Sequence, residues 1–127
     1  YRKLAEHALQ KLSKVMPIPN QTWTDKEKLP GSKKISEKYF ENLSPNLQKR
    51  IFDNYGDQVV TLNNYYQKSK NGGQQITNDL YEFEVAYLVE KEMAKTADDI
   101  LFRRTKLGID FPGDKLDLLN QVISRYN

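Results

Sequence analysis

Few residues of this chain have the types and spacing that catalysis requires. The sequence contains no cysteine, which excludes disulfide bonds and thiolate metal ligands. Its single histidine, His7, excludes a multi-histidine metal site and leaves no Ser-His or Cys-His nucleophile pair unless His7 itself is the base. His7 lies at the edge of an apolar helical stripe, where a surface histidine is far more common than a catalytic one. We therefore expect no catalytic group of residues in the chain.

The glycine and carboxylate patterns also predict no catalytic or phosphate-binding site. Neither the G-x-G-x-x-G dinucleotide fingerprint nor the G-x-x-x-x-G-K-[ST] phosphate loop occurs. Gly72-Gly73 is typical of a flexible connection rather than of a phosphate site. Glu82 and Glu84 are two residues apart, which places them on different faces of a helix. We interpret them as charges near a positive helix N-terminus, not as an acid/base pair.

Arg104 is the charged residue with the most informative position. It follows Ile100 and Leu101 on one helical face, so its guanidinium is expected to be at least partly buried. A buried charge needs a partner. Glu84 or Glu92 on the preceding helix is the predicted one.

The neighbouring Arg103 lies four residues after Asp99, the favourable order for an ion pair along a helix. Arg103 and Arg104 could together bind an anionic ligand, or they could hold two helices together. We favour the second reading, because arginine suits bidentate pairing with carboxylates.

The elements that position these residues are predicted to be helices. Glycine and proline pairs separate segments of helical periodicity, and no convincing strand alternation occurs. Helices are expected to begin near residues 2, 32, 45, 57, 77, 97 and 114. The chain is thus predicted to be all-α, a compact bundle of about six or seven helices, with an irregular segment near residues 17–31.

Several boundaries carry specific start signals. Ser44 before Pro45 predicts a capped helix start, and Gly56 its end. Asp57 is predicted to cap the next helix, with Val59, Val60 and Leu62 inside. Thr77 to Asp79 is predicted to cap the most central helix. The run from Thr96 to Asp99 fits a capping box.

The helix predicted from Ser32 is expected to bury an apolar face. Its members are Ile35, Tyr39, Phe40 and Leu43. The first helix, over residues 2–15, carries the apolar stripe of Leu4, Ala5, Ala8, Leu12 and Val15. Trp23 and Tyr65-Tyr66 could stack on nucleic-acid bases, but aromatic residues far more often fill a core or an interface between domains.

Net charge and hydropathy limit the kinds of partner that the chain could bind. The 20 basic and 17 acidic residues give a net charge of +3 and are mixed along the chain, unlike the basic face of a nucleic-acid binder. No apolar run approaches the roughly 20 residues that cross a bilayer, and no signal-peptide pattern occurs at the start. We expect a soluble domain in the cytoplasm that binds no nucleic acid.

Three stretches together resemble one enzyme family. The first is Tyr1–Ala8, and the second is Trp23-Thr24 with Leu29–Gly31. The third consists of Tyr81-Glu82, Glu84, Tyr87-Leu88-Val89 and Glu92, followed by Ala97–Gly108. In this order and spacing they resemble the C-terminal part of FAD-dependent (aerobic-type) glycerol-3-phosphate dehydrogenases. Phe102 stands where many members carry tryptophan. The middle of the chain, residues 33–75, resembles the family only through its helices and Tyr55-Gly56.

The resemblance implies a longer parent enzyme, an oxidoreductase of glycerol metabolism. That flavoprotein would oxidise sn-glycerol 3-phosphate to dihydroxyacetone phosphate, with FAD passing the electrons to membrane quinone. Related glycerophosphate oxidases use oxygen instead. The FAD and substrate sites would lie upstream, so the fragment alone is expected to hold no cofactor and no activity. Tyr1 and Arg2 are the residues that it places near the flavin.

The resemblance also implies an organisation. Residues 1–16 would end the upstream catalytic region, 17–31 would connect, and 32–127 would form the C-terminal helical domain. Partners would be the upstream FAD and substrate domain and membrane quinone, and the parent could form a homodimer. The parent is expected to be peripheral on the cytoplasmic membrane. The alternative readings are a free-standing helical interaction module and, last, a nucleic-acid binder.

Overall fold

Helices make up most of the part of the chain that the computed structural model describes, which is residues 1–18, 24–29, 31–33, 35 and 39–127. The α-helices are α1 (Arg2–Leu12), α2 (Pro45–Tyr55), α3 (Val59–Lys68), α4 (Glu82–Glu92) and α5 (Leu116–Ser124). Short 3-10 turns cover Gly56–Gln58, Leu107–Ile109 and Gly113–Lys115, and a wider helical turn covers Asp99–Arg104. Two strands, β1 (Gln75–Thr77) and β2 (Leu80–Tyr81), form an antiparallel hairpin. The mostly helical fold is confirmed, but five α-helices in the described residues do not confirm six or seven.

Helix α4 is the centre of the core. Seven consecutive residues, Phe83 to Val89, are buried. A helix that is buried on all sides must be surrounded by other elements, and α4 packs between α3 and α5. The prediction that this helix is central is confirmed.

Helix α2 begins as its sequence predicts. The Ser44 hydroxyl accepts a hydrogen bond from the Leu47 N–H at 3.3 Å, and proline occupies the first turn. Leu47 and Ile51 are buried on its inner face. Gly56 ends the helix with a φ of +50°.

The helix predicted from Ser32 is not present in residues 31–33, 35 and 39–43; residues 34 and 36–38 lie outside the described part. Phe40 has a φ of +61°, which interrupts a helix. Its ring packs against Tyr66 and Phe83, with centroids 5.3 and 5.7 Å apart. Phe40 and Leu43 are buried as predicted. Aromatic packing thus decides the backbone conformation here and overrides the helical periodicity.

The predicted start of the central helix near residue 77 is wrong. The hairpin occupies Gln75 to Tyr81, and α4 begins at Glu82. The Thr77 hydroxyl accepts from the Asp79 N–H at 3.3 Å and so closes the turn of the hairpin instead of capping a helix. Strands of three and two residues are too short to show an alternating pattern.

Asp57 does not cap helix α3. Its carboxylate instead accepts hydrogen bonds from the backbone N–H groups of Gly31 at 2.6 Å and Lys33 at 3.3 Å. The chain enters α3 through a 3-10 turn, and Val60, predicted inside, is 47% exposed. Val59 and Leu62 are buried as predicted.

Helix α1 buries none of its residues. Leu4 and Leu12 of its apolar stripe are 71% and 46% exposed. It is joined to the connector by polar contacts: the Thr24 hydroxyl donates to the Glu6 carboxylate at 2.6 Å, and Arg2 donates to the Thr24 carbonyl at 3.4 Å. Trp23 and Pro30 lie outside the described residues. In the described part, no helix has the length and apolar character needed to span a bilayer.

Candidate functional site

The central helix carries four carboxylates. Each of them is hydrogen-bonded or ion-paired with side chains from other segments. Glu84 binds Arg50 and Tyr55, Glu90 binds Tyr65, Glu82 binds Arg125 and Tyr126, and Glu92 binds Arg104. The site is therefore a ring of polar contacts that holds the other elements around α4.

Glu84 is the buried member of this ring, with 1% of its surface exposed. Arg50 donates to both of its oxygens, from Nη1 to Oε1 at 2.9 Å and from Nη2 to Oε2 at 2.6 Å. The Tyr55 hydroxyl donates to Oε1 at 2.7 Å. Arg50 also reaches the Asp79 carbonyl at 2.6 Å and so ties α2 to the hairpin. A bidentate guanidinium and a hydroxyl together compensate a carboxylate that has lost its water.

The electrostatics of this cluster fit a structural role. Burial raises the pKa of Tyr55, and the neighbouring charge of Glu84 raises it further. Burial alone would lower the pKa of Arg50, but the hydrogen bond and charge of Glu84 raise it overall. Both shifts move these pKa values further from neutrality, so neither Tyr55 nor Arg50 is suited to act as a general acid or base near neutral pH.

The Glu84–Arg50 pair adds to the sequence interpretation. Glu84 lies in the first turn of α4, as that interpretation predicts, but its cationic partner is Arg50 and not Arg104. Arg50 comes from a helix 34 residues earlier, and no local spacing relates it to Glu84. In the sequence, the position of Arg50 between Leu47 and Ile51, at the border of a buried helical face, is the hint that its charge needs a partner.

Arg104 lies against Glu92, the other of the two predicted partners. Its Nε is 3.3 Å from Glu92 Oε2, and its Nη2 donates to the Glu92 carbonyl at 2.9 Å. The two side chains are 35% and 32% exposed. Glu92 also hydrogen-bonds the Tyr87 hydroxyl, and burial together with this charge raises the pKa of Tyr87. Arg104 thus holds the segment that follows α4 onto the end of that helix.

Asp99 organises the next turn. Its Oδ2 accepts from the N–H groups of Lys95 at 2.9 Å and Thr96 at 3.0 Å, while the Thr96 hydroxyl accepts from the Asp99 N–H at 3.2 Å. This reciprocal pair is the predicted capping box. Arg103 pairs with the same carboxylate. The Lys95 and Arg103 donors, in that order, hold the pKa of Asp99 well below its usual range.

The turn that Asp99 caps is wider than an α-helix. The Thr105 N–H donates to the Ile100 carbonyl, five residues earlier, at 2.9 Å. Wide turns of this kind often accompany functional sites. Here both arginines of the turn are bound to carboxylates, so the turn offers no free guanidinium to an anion.

Glu82 joins the two ends of residues 74–127. Its Oε1 accepts from Arg125 at 3.0 Å and from the Tyr126 hydroxyl at 3.0 Å, and its Oε2 accepts from the Gln74 N–H at 2.8 Å. Burial opposes ionisation of this carboxyl, but these donors outweigh it and lower its pKa. The end of the chain is thereby fixed to the hairpin.

These contacts bear on a diphosphate cofactor such as FAD. All four arginines of residues 39–127, which are Arg50, Arg103, Arg104 and Arg125, are engaged by carboxylates. The guanidinium groups that could pair with a diphosphate are therefore occupied by carboxylates of the domain itself. No group of three metal-ligating side chains occurs in the described residues.

Tyr1 and Arg2, predicted to lie near a flavin, are not part of the ring around α4. Tyr1 is fully exposed, and the Arg2 guanidinium donates to the Thr24 carbonyl. Their proximity to a flavin stays a prediction.

Comparison with known proteins identifies relatives over most of the chain. The family described as the C-terminal domain of alpha-glycerophosphate oxidase matches residues 22–126. The aerobic glycerol-3-phosphate dehydrogenase of Escherichia coli is 31% identical over 99% of this chain. A glycerol-3-phosphate dehydrogenase of Pseudomonas aeruginosa is 36% identical over 86%, and the D-erythritol 1-phosphate dehydrogenase of Brucella abortus is 33% identical over 84%.

The matched region is a small part of each relative. The chain spans 27% of the Escherichia coli protein and 23% of each of the other two. The match to the family covers far more than half of this chain. The chain therefore belongs to the family of the C-terminal domain of alpha-glycerophosphate oxidase.

Proposed function

We propose that this chain is the C-terminal accessory domain of a longer FAD-dependent glycerol-3-phosphate dehydrogenase. In this proposal the parent oxidises sn-glycerol 3-phosphate to dihydroxyacetone phosphate, and FAD passes the electrons to membrane quinone. The parent is a peripheral protein on the cytoplasmic membrane, and it could form a homodimer. The domain itself does no chemistry and supports the catalytic part.

The observation that carries the proposal is the bare apolar face of α1. The helix buries none of its residues, although Leu4, Leu9 and Leu12 lie on one side of it. An exposed apolar face of this kind is normally covered by another protein surface. Relatives roughly four times as long supply a candidate for that surface, since the matched family is a C-terminal domain. We infer that α1 packs against the upstream catalytic region.

This reading supports the proposed division of the chain. Residues 1–16 end the upstream region, 17–31 connect, and 32–127 form the domain. The buried core begins at Phe40, well after α1. The last residue of the connector, Gly31, is hydrogen-bonded to Asp57 of the domain.

The identity of the substrate can be tested on the full-length natural polypeptide. Its visible spectrum would be recorded before and after sn-glycerol 3-phosphate is added without oxygen. A flavin band that bleaches supports the proposal, and a colourless protein refutes it. D-erythritol 1-phosphate belongs in the same experiment, because one relative is named for it. Bleaching by that compound alone would assign the parent to a different polyol phosphate.

The docking of α1 can be tested separately. Replacing Leu4 and Leu12 with serine removes apolar surface that is exposed in this chain, so the unfolding midpoint of the 127-residue chain should stay the same. In the full-length protein the same pair should lower the temperature at which flavin is released. Lys3→Ser and Gln10→Ser, on the polar face, are the matched control. Equal effects of both pairs would show that the apolar face is not covered.

A further inference from the structure

The end of the connector is held at one well-defined place on the helical body. Helix α1 buries no residue, and residues 24–29 are exposed. At Gly31 this changes: Oδ1 of Asp57 accepts the Gly31 N–H at 2.6 Å, and Oδ2 accepts the Lys33 N–H at 3.3 Å. The N–H groups of the last connector residue, Gly31, and of Lys33 just after it thus share one carboxylate of the body.

Two glycines make this approach possible. Gly56, beside Asp57, has a φ of +50°, and Gly31 has a φ of +85°. A Cβ added to Gly56 would lie 2.1 Å from the Gly31 carbonyl oxygen. No side chain fits in that space, so the two backbones touch. The Gln58 amide donates to Asp57 Oδ1 at 3.2 Å and helps to orient the carboxylate.

The element that carries Asp57 is anchored in the core on both sides. It is the single turn Gly56–Gln58 between α2 and α3, and the residues on either side, Tyr55 and Val59, are 8% and 0% exposed. Tyr55 is also hydrogen-bonded to the buried Glu84. A hydrogen bond from the connector to this turn therefore fixes the position of the end of the connector relative to the core.

We propose that Asp57, Gly56 and Gly31 form a latch that fixes the end of the connector on the helical body. The latch sets the direction in which the preceding polypeptide leaves the domain. Asp57 is thus a positioning residue, and it has no part in the proposed chemistry. Only the identity of the preceding polypeptide rests on the proposed function; the latch itself is a property of this chain.

The latch can be measured directly in the 127-residue chain. The sequence has no cysteine, so Lys28→Cys on the connector and Gln121→Cys on α5 accept spin labels specifically. Pulsed electron paramagnetic resonance then gives the distribution of distances between the two labels. The distribution should be narrow in the parent sequence and broader in Asp57→Ala and in Gly56→Ala.

Asp53→Ala is the matched control. Asp53 is an exposed carboxylate near Asp57, and it pairs with Lys49 on the surface of α2. This variant should leave the distance distribution unchanged. Asp57→Asn keeps the shape of the side chain and should broaden the distribution less than Asp57→Ala. It replaces the other variants in the measurement if they do not fold. The same width in Asp57→Ala, Asp57→Asn and the parent sequence would overturn the proposal.

Amide hydrogen exchange provides a second measurement. Loss of a hydrogen bond to a charged acceptor should speed exchange of the Gly31 and Lys33 N–H groups about tenfold or more in Asp57→Ala. Amides inside α4 should exchange as before. An unchanged exchange rate at Gly31 would contradict the latch, whatever reaction the parent enzyme catalyses. A colourless parent would contradict the proposed function but not the latch.

Discussion

Replacing Arg50 with alanine tests the ring of contacts around α4 at its buried point. Glu84 is 1% exposed, and Arg50 supplies two of the three side-chain hydrogen bonds to it. After the substitution the carboxylate keeps only the Tyr55 hydroxyl. An uncompensated buried charge of this kind costs about 3–5 kcal/mol. The Asp79 carbonyl also loses its donor.

The measurement is urea unfolding followed by circular dichroism. With a slope of about 2 kcal/mol per molar urea, a loss of about 4 kcal/mol would move the midpoint by about 2 M. Lys49→Ala is the matched control, since Lys49 is the neighbouring residue and pairs with Asp53 at the surface. Exposed pairs of this kind contribute about 0.2–1 kcal/mol.

A double substitution distinguishes the contribution of the ion pair from the cost of leaving a buried charge unpaired. Arg50→Met with Glu84→Leu removes both charges and fills the site with apolar groups. Such replacements are often neutral or stabilising, so the double variant should be more stable than Arg50→Ala. A loss below about 1 kcal/mol in Arg50→Ala would refute the reasoning. It would mean that water or another cation reaches Glu84.

Three further outcomes are expected in the same assay. Arg104→Ala should cost about 1 kcal/mol, clearly less than Arg50→Ala, because its pair with Glu92 is about one-third exposed; a loss near 4 kcal/mol would contradict this. Met93→Gly should stabilise by about 0.5–1 kcal/mol, because Met93 ends α4 with a φ of +57° that glycine adopts without strain; a destabilised variant would contradict it. The folded protein lowers the pKa of Asp99 and of Glu82, so the unfolded chain takes up protons first as pH falls. The stability that these carboxyls supply is complete only above about pH 5 and falls progressively as the pH drops through the unfolded-state pKa values towards the lower folded-state ones. Asp99→Asn, measured from about pH 2 to 6, should therefore lose less stability on acidification than the parent sequence.

The sequence predicts those features that depend on neighbours along the chain. Ser44 with Pro45 starts α2, Gly56 ends it, and the Thr96–Asp99 box forms, since each involves groups within four residues. The buried character of α4 follows from its unbroken apolar run in the same way.

Features that depend on distant residues are the ones that the sequence misses. Phe40 leaves its predicted helix because its ring packs among aromatic residues far along the chain. Asp57 accepts from the peptide N–H groups of Gly31 and Lys33 and does not cap the helix that it precedes. Glu84 is paired with an arginine 34 residues away. Periodicity specifies which face is buried, but it contains no information about which partner lies there.

The perturbed carboxyl and phenol groups of the domain are engaged by internal contacts. Perturbed pKa values can mark catalytic groups, but structural ion-pair networks perturb them as well. Here Tyr55, Glu82 and Asp99 are hydrogen-bonded within the domain; the contacts of Tyr55 and Glu82 join separate segments, and those of Asp99 organise one turn. Buried charge is used to fix geometry. The apolar face of α1 is exposed, whereas the elements of the core pack against one another. If α1 meets the upstream region of the parent enzyme, as we propose, the influence of this domain on the enzyme would be exerted through the position of that region.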